Sequence, residues 1–258
     1  MKNKCGLVLG VANERSIAWG IAKVLAESGA EIALSYQNEN LLKRVGPLAH
    51  NIDATICELA DVQDEKSLDS LFKKIKKKWG KLDFLVHAIA YSDKEELTGR
   101  FVNSSRRNFL KSMDISCYSF VDLARRSAPL MTNGGSILTV TFMGGKKVTP
   151  SYNVMGPVKA ALESSVRYLA NDLGSDGIRV NAISPGPMKT LAGAAIGGAR
   201  QVFRGTEKNA PLRKNADLDA VGNAALFLLS DNSLSTTGEI IYVDGGYHIM
   251  GLPSLENL

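Results

Sequence analysis

The sequence predicts an α/β fold in which seven parallel strands form one doubly wound sheet with helices on both faces. Short apolar runs of strand length alternate along the chain with longer stretches of helical periodicity. An order of strand, helix, strand, helix requires parallel strands joined by right-handed crossovers. No internal repeat, low-complexity tract or linker interrupts the alternation, so residues 1–258 are expected to form a single domain.

The strand runs fall at residues 5–10, 31–36, 53–59, 82–87, 136–141, 179–183 and 239–243. Between the first two, residues 16–28 place Ile17, Ile21, Val24 and Leu25 on one helical face. Leu68, Leu71, Phe72, Ile75 and Trp79 form a second stripe, which puts Lys73, Lys74 and Lys76 to Lys78 on the opposite face. That face is either plainly solvated or attractive to an acidic partner. No aromatic residues interleave with the lysines, so nucleic-acid binding is not supported. Two long helices are expected at 108–131 and 154–173, and a last one at 219–229. Two long loops, 90–106 and 185–209, follow strand ends where open α/β sheets bind ligands. The second is rich in Gly and Ala.

Composition is ordinary, with 45% hydrophobic and 22% charged residues and a net charge of +5. No apolar run is long enough to span a bilayer, so no membrane association is expected. Residues 1–4 lead straight into the first strand with no signal-peptide pattern. Cys5, Cys57 and Cys117 are odd in number and lack metal-ligand spacing, so no metal site is expected and a cytoplasmic location is.

The first strand run ends at Gly10 and leads through Ser16 and Ile17 into a helix containing Gly20. A glycine at a strand-to-helix turn lets backbone approach a diphosphate, which the helix N-terminus then favours. Ser16 is a candidate cap, and Gly20 a candidate for close helix–strand packing. The stretch is not GxGxxG, and a plain strand–turn–helix with a serine cap has the same look. After the second strand, Gln37 is neutral and able to hydrogen-bond ribose hydroxyls. Between the end of the second strand and Lys43 there is no Arg or Lys, which favours NADH over NADPH. Asp61, after the third strand, is either an acceptor for an adenine amino group or an ordinary turn aspartate.

Tyr152 and Lys159 lie seven residues apart, about two helical turns, which would bring both side chains to one helix face. This spacing, set in PSYNVMGPVKAALESSVRYLA, resembles the enoyl-acyl-carrier-protein reductase branch of the short-chain dehydrogenase/reductase superfamily. So do LGVANERSIAWGIA, SYQNE, FLVHAIA, DISCYSFV, VNAISPGPMKTLA and TGEIIYVDGGYHIMG, in order over nearly the whole chain. The resemblance implies a Rossmann-type sheet, NADH/NAD+ as cofactor, an acyl carrier protein bearing enoyl chains as partner, and a homotetramer. Residue by residue it implies that Gly10, Ser16, Ile17, Gln37, Asp61, Val62, Ile89, Met188 and Thr190 contact the dinucleotide. Lys159 would hold the nicotinamide ribose, and Tyr152 would hydrogen-bond the thioester carbonyl. Ala90, Leu97, Phe142 and Tyr152 would border the substrate, under a lid formed by 185–209. Phe142 occupies a position that is commonly a second tyrosine in the family. Lacking a donor, it argues against a mechanism that needs two phenols and is expected instead to wall the acyl pocket. A carbonyl reductase of the same superfamily and a nucleotide-binding regulator are the competing readings. The absence of Tyr-x-x-x-Lys opposes the first, and the retained Tyr152 and Lys159 oppose the second.

Overall fold

Strand β1 (Cys5–Leu9) is buried along its whole length and sits in the interior of the sheet, because continuous apolar sequence suits a strand covered on both faces. A computed structural model describes residues 1–194 and 197–257. Around β1 are arranged β2 (Glu31–Tyr36), β3 (Ile56–Leu59), β4 (Phe84–His87), β5 (Gly135–Val140), β6 (Ile178–Pro185) and β7 (Ile240–Val243). Their order is β3-β2-β1-β4-β5-β6-β7, with every pairing parallel. In register, Leu7 lies beside Ala33 on β2 and Leu85 on β4.

The helices are α1 (Ile17–Glu27), α2 (Glu39–Asn51), α3 (Glu65–Trp79), α4 (Arg106–Met113), α5 (Ser119–Ser127), α6 (Met155–Leu173), α7 (Leu191–Ala194), α8 (Ala199–Asn209) and α9 (Leu218–Leu229). Alternation along β1 divides the core. Leu7 and Leu9 join Leu85, Phe120, Val158 and Leu162 on one face, whereas Val8 joins Ile21, Ile32, Val221 and Leu228 on the other. The doubly wound, seven-stranded arrangement is the one expected from the sequence.

In α3 the expected stripe is buried at Leu68, Leu71, Phe72 and Ile75, and Lys73, Lys74 and Lys76 to Lys78 are exposed. Asp64 caps its first turn, Gly80 ends it in the left-handed region, and the last-turn lysines complement the helix dipole.

Four expectations require correction. Residues 53–59 do not extend throughout: Asp53 adopts φ 49° and the Ala54 N–H bonds back to Ala49, so β3 begins only at Ile56. Residues 108–131 are not one helix. Ser105 caps α4, a π-turn over Asp114–Tyr118 separates α4 from α5, and a 3-10 turn with Pro129 ends the run. The stretch 185–209 is not simply a loop, since it contains α7 and α8; residues 195 and 196 lie outside the described residues. Finally, Gly20 packs helix against helix, not helix against strand. A methyl group there would meet Leu218 of α9 at 2.8 Å, and one on Gly222 would meet Val24 of α1 at 2.6 Å. Among the described residues no helix is long and apolar enough to cross a membrane.

Candidate active site

The parallel topology delivers the expected residues to one edge of the sheet. Gly10, Gln37, Asp61, Ile89, Phe142, and Met188 with Thr190 follow the carboxyl ends of β1 to β6 in turn. The order reverses between β1 and β4, which opens the crevice where doubly wound sheets bind ligands.

Gly10 has φ 106°, and a methyl group on it would lie 2.1 Å from the Ala88 carbonyl oxygen. Only glycine lets β1 and β4 close together here while the backbone turns toward α1. Ser16 stands at the N-cap of α1 without capping it. Its Oγ instead accepts from the N–H groups of Ala12 (3.0 Å) and Asn13 (3.1 Å) and winds the preceding loop tight. No side chain caps α1; the Trp19 and Gly20 N–H groups turn back to the Ser16 carbonyl, and those of Ile17 and Ala18 are left to face a diphosphate beside the glycine turn. Gln37 and Asp61, on adjacent strand ends, meet directly: Gln37 Nε2 donates to Asp61 Oδ2 at 3.1 Å. Val62 and Ile89 pack against one core and Met188 against the other. Thr190 Oγ1 accepts from the Gly193 N–H at 2.9 Å, fixing the turn into α7. These residues together fit a dinucleotide: a glycine-opened turn, helix N–H groups at the start of α1, and a Gln–Asp pair at the far strand ends that presents no cation.

On the substrate side, Lys159 is buried on α6 and its Nζ donates to the Val140 carbonyl at 2.7 Å. Burial lowers its pKa to about 8, although Cys117 and Glu163 act in the opposite direction. Tyr152 is also buried. Burial, reinforced by Glu163, pushes its phenol well above the ordinary value, so it stays protonated.

The expected shared helix face is not the reason these residues converge. Tyr152 lies in a turn before α6, which starts at Met155. Ser151 and Asn153 on either side have φ 58° and 41°. Convergence comes instead from the loop after β5. A methyl group on Gly144 would strike the Tyr152 ring at 2.5 Å, and one on Gly145 would lie 3.1 Å from the Lys159 carbonyl carbon. Two glycines after β5 thus let the Tyr152 ring and the Lys159 backbone pack closely against one short turn. The Phe142 and Tyr152 ring centroids are 5.1 Å apart and tilted by 58°, so Phe142 is an apolar wall beside the phenol. Leu97 is buried in the same cluster as Tyr152, and Ala90 is exposed at the start of the loop after β4.

Several supporting side chains were not foreseen from the sequence. Glu163 is buried one turn beyond Lys159 and its Oε1 accepts from Thr141 Oγ1 at 2.9 Å, tying α6 to the end of β5. His87 is wholly buried between Thr139 Oγ1 (2.8 Å) and Ser119 Oγ (2.9 Å), and burial lowers its pKa to about 3. Asn108, also fully buried, accepts from the Asp93 N–H at 2.9 Å and donates to Glu96 Oε2 at 3.3 Å, anchoring the loop after β4. A helical spacing of four from Lys159 was the one available signal for Glu163.

The fold and this crevice define a nicotinamide-dependent reductase of the short-chain type. A profile of the Enoyl-(Acyl carrier protein) reductase family matches residues 10–248. The chain is 56% identical to Enoyl-[acyl-carrier-protein] reductase [NADH] 1 of Rhizobium meliloti over 99% of this chain and 94% of that protein. The crystal structure of the Anaplasma phagocytophilum reductase in complex with NAD superposes with a TM-score of 0.96 at 54% identity, covering 99% of this chain and 97% of that one. The Bacillus cereus enzyme with NADP+ and an indole naphthyridinone gives 0.95 at 45% identity, covering 97% and 98%. This chain belongs to the enoyl-acyl-carrier-protein reductase family.

Proposed function

We infer that this chain reduces the trans-2 double bond of enoyl-acyl-carrier-protein thioesters with NADH, the final step of each elongation cycle in fatty-acid synthesis. NADH, when bound, supplies the hydride that adds to the substrate β-carbon. Negative charge then develops on the thioester oxygen. The buried, protonated Tyr152 phenol beside Phe142 is the observation that carries the reading, because it is a donor aimed from a water-poor wall. Such a donor stabilises a developing oxyanion by about 3 kcal/mol. Lys159 holds the cofactor ribose with its remaining N–H groups. Phe142, Leu97 and Ala90 border the acyl chain. Gly10, Ser16, Ile17, Gln37, Asp61, Val62, Ile89, Met188 and Thr190 form the dinucleotide crevice. NADH consumption with a crotonyl thioester tests the reading; turnover of an acetoacetyl thioester in its place would make the chain a carbonyl reductase.

Cofactor choice follows from the second strand end. Gln37 engages Asp61 and offers no cation to a 2′-phosphate. NADH is expected to give the higher kcat/KM. Equal or reversed preference would implicate Lys43 and Arg44, which are exposed on α2.

The carrier protein's acidic surface is proposed to dock on α8. Arg200 and Arg204 are exposed one turn apart there, with Lys208 one turn further and Lys189 over the Phe203 ring. Replacing both arginines with Glu is expected to raise KM for carrier-bound substrate and barely affect the coenzyme A analogue. The wild-type preference for carrier substrate is expected to shrink as salt rises. Equal impairment of both substrates would move the docking surface elsewhere.

A homotetramer of single-domain subunits is proposed as well. Leu110, Tyr118 and Tyr168 leave apolar surface exposed on α4, the π-turn and α6. Light scattering tests the mass. A cytoplasmic location is supported by three unpaired cysteines and by the absence of a membrane-spanning helix among the described residues.

A further inference from the structure

The segment carrying Tyr152 has an unusual backbone. Ser151 and Asn153 both adopt positive φ, at 58° and 41°, so the tyrosine is bracketed by two left-handed residues that are not glycine. Such conformations persist only where the surroundings hold them. The side chain that does so belongs to Asn153. Its Nδ2 lies 3.0 Å from the Glu96 carbonyl, 3.2 Å from that of Thr98 and 3.4 Å from that of Gly99. Three converging acceptors admit only the N–H2 end of the amide.

The stretch that receives these hydrogen bonds is fixed at its other end too. Glu96 Oε1 accepts from Ser105 Oγ at 2.6 Å and Oε2 from the Ser105 N–H at 2.9 Å, at the cap of α4. Buried Asn108 holds Ser92, Asp93 and Glu96 from behind. Leu97, between the carbonyls that Asn153 grips, is buried in the cluster containing Tyr152. The lid meets the same seam: a methyl group on Gly197 would lie 2.9 Å from Thr98 Cγ2 and 3.2 Å from Ser151 Oγ.

We propose that Asn153 is a positioning residue that locks the loop after β4 onto the turn bearing Tyr152, so that the acyl-pocket wall at Leu97 and the phenol are set by one clamp. Its hydrogen bonds go to the loop after β4 and to none of the dinucleotide-crevice residues. Its effect falls on the placement of the phenol relative to the substrate oxygen. The inference rests on the role given to Tyr152 above.

Three variants at this position separate the clamp from simple backbone strain. Asn153→Gly keeps left-handed freedom and removes the amide. Asn153→Asp keeps the shape and points a carboxylate at three carbonyls. Asn153→Ala loses both features. Glu96→Ala loosens the same loop from its far end. In steady-state assays with a crotonyl thioester, Asn153→Gly and Asn153→Asp are expected to lower kcat about 100-fold, the scale of a misplacement of about 1 Å. NADH affinity, read by fluorescence titration, is expected to stay at the wild-type value. Glu96→Ala is expected to give a smaller loss that does not add to that of Asn153→Gly. A folded Asn153→Gly with wild-type kcat would overturn the proposal, because strain relief would then suffice. A parallel loss of NADH affinity in all variants would overturn it as well, by showing a general structural role. Tyr152→Phe is run alongside. If it is slow while the Asn153 variants are fast, the clamp alone fails. If it is as fast as wild type, the role of Tyr152 fails instead.

Discussion

Tyr152→Phe is expected to reduce the rate of enoyl reduction about 100- to 1,000-fold, the range seen when one oxyanion donor is removed. The NADH dissociation constant is expected not to change. The ring is buried against Phe142 and Gly144, so the variant keeps its packing and loses only the hydroxyl. Phe142 has no donor to substitute for it, which makes the effect larger than in a site with two phenols. Single-turnover reduction of a crotonyl thioester by pre-bound NADH measures the step directly. A rate within a factor of a few of wild type would show that the thioester oxygen is stabilised by another group.

Lys159→Met is expected to weaken NADH binding about 10- to 100-fold, the loss of one charge-assisted hydrogen bond worth about 1.5–3 kcal/mol. Methionine is chosen because Lys159 is buried and its stem packs in the core. The wild-type lysine also predicts a pH signature. Its folded-state pKa of about 8 lies below the ordinary 10.5. Below pH 8 both folded and unfolded chains carry the proton, and the folded protein bears the full cost of the buried charge. As pH rises from 8 towards 10.5 the unfolded chain binds more protons, so stability rises across that window, by about 3 kcal/mol in total. Lys159→Met should lack this rise. NADH affinity of the wild type should fall over the same window, since the ammonium is the proposed ribose donor. Denaturant midpoints and NADH titrations from pH 7 to about 10 check both. Parallel stability profiles for the two proteins would mean that Lys159 keeps its proton throughout.

Much of this architecture was legible in the sequence because periodicity and element order are local properties. The continuous apolar runs at β1 and β4 could only be strands covered on both faces. Once the order was parallel, the residues after each strand had to share one edge. Interruptions that depend on distant contacts were not legible. The π-turn at Asp114–Tyr118 keeps helical periodicity on either side, and what stabilises it lies elsewhere: Ser116 Oγ engages the backbone of Tyr91 and Ser119 engages His87. Helix α8 was obscured by the Gly- and Ala-rich sequence preceding it. Tyr152 looked helical because seven residues suit two turns, yet the left-handed residues beside it take it off the helix. Asn153 stood within the quoted motif throughout, but nothing local shows that three carbonyls about fifty-five residues away converge on it.

The interlocking of α1 and α9 bears on how the protein is made. The end of α1 proposed to face the diphosphate is aimed by its contact with a helix that begins only at Leu218, through Gly20 against Leu218 and Gly222 against Val24. A nascent chain leaving the ribosome has all of β1, α1 and β2 exposed long before α9 exists. During that interval Val24 and Gly20 have no partner, and the helix is free to tilt. The cofactor crevice is therefore completed near the end of synthesis, and a truncated or stalled chain holds the glycine turn without a fixed helix behind it.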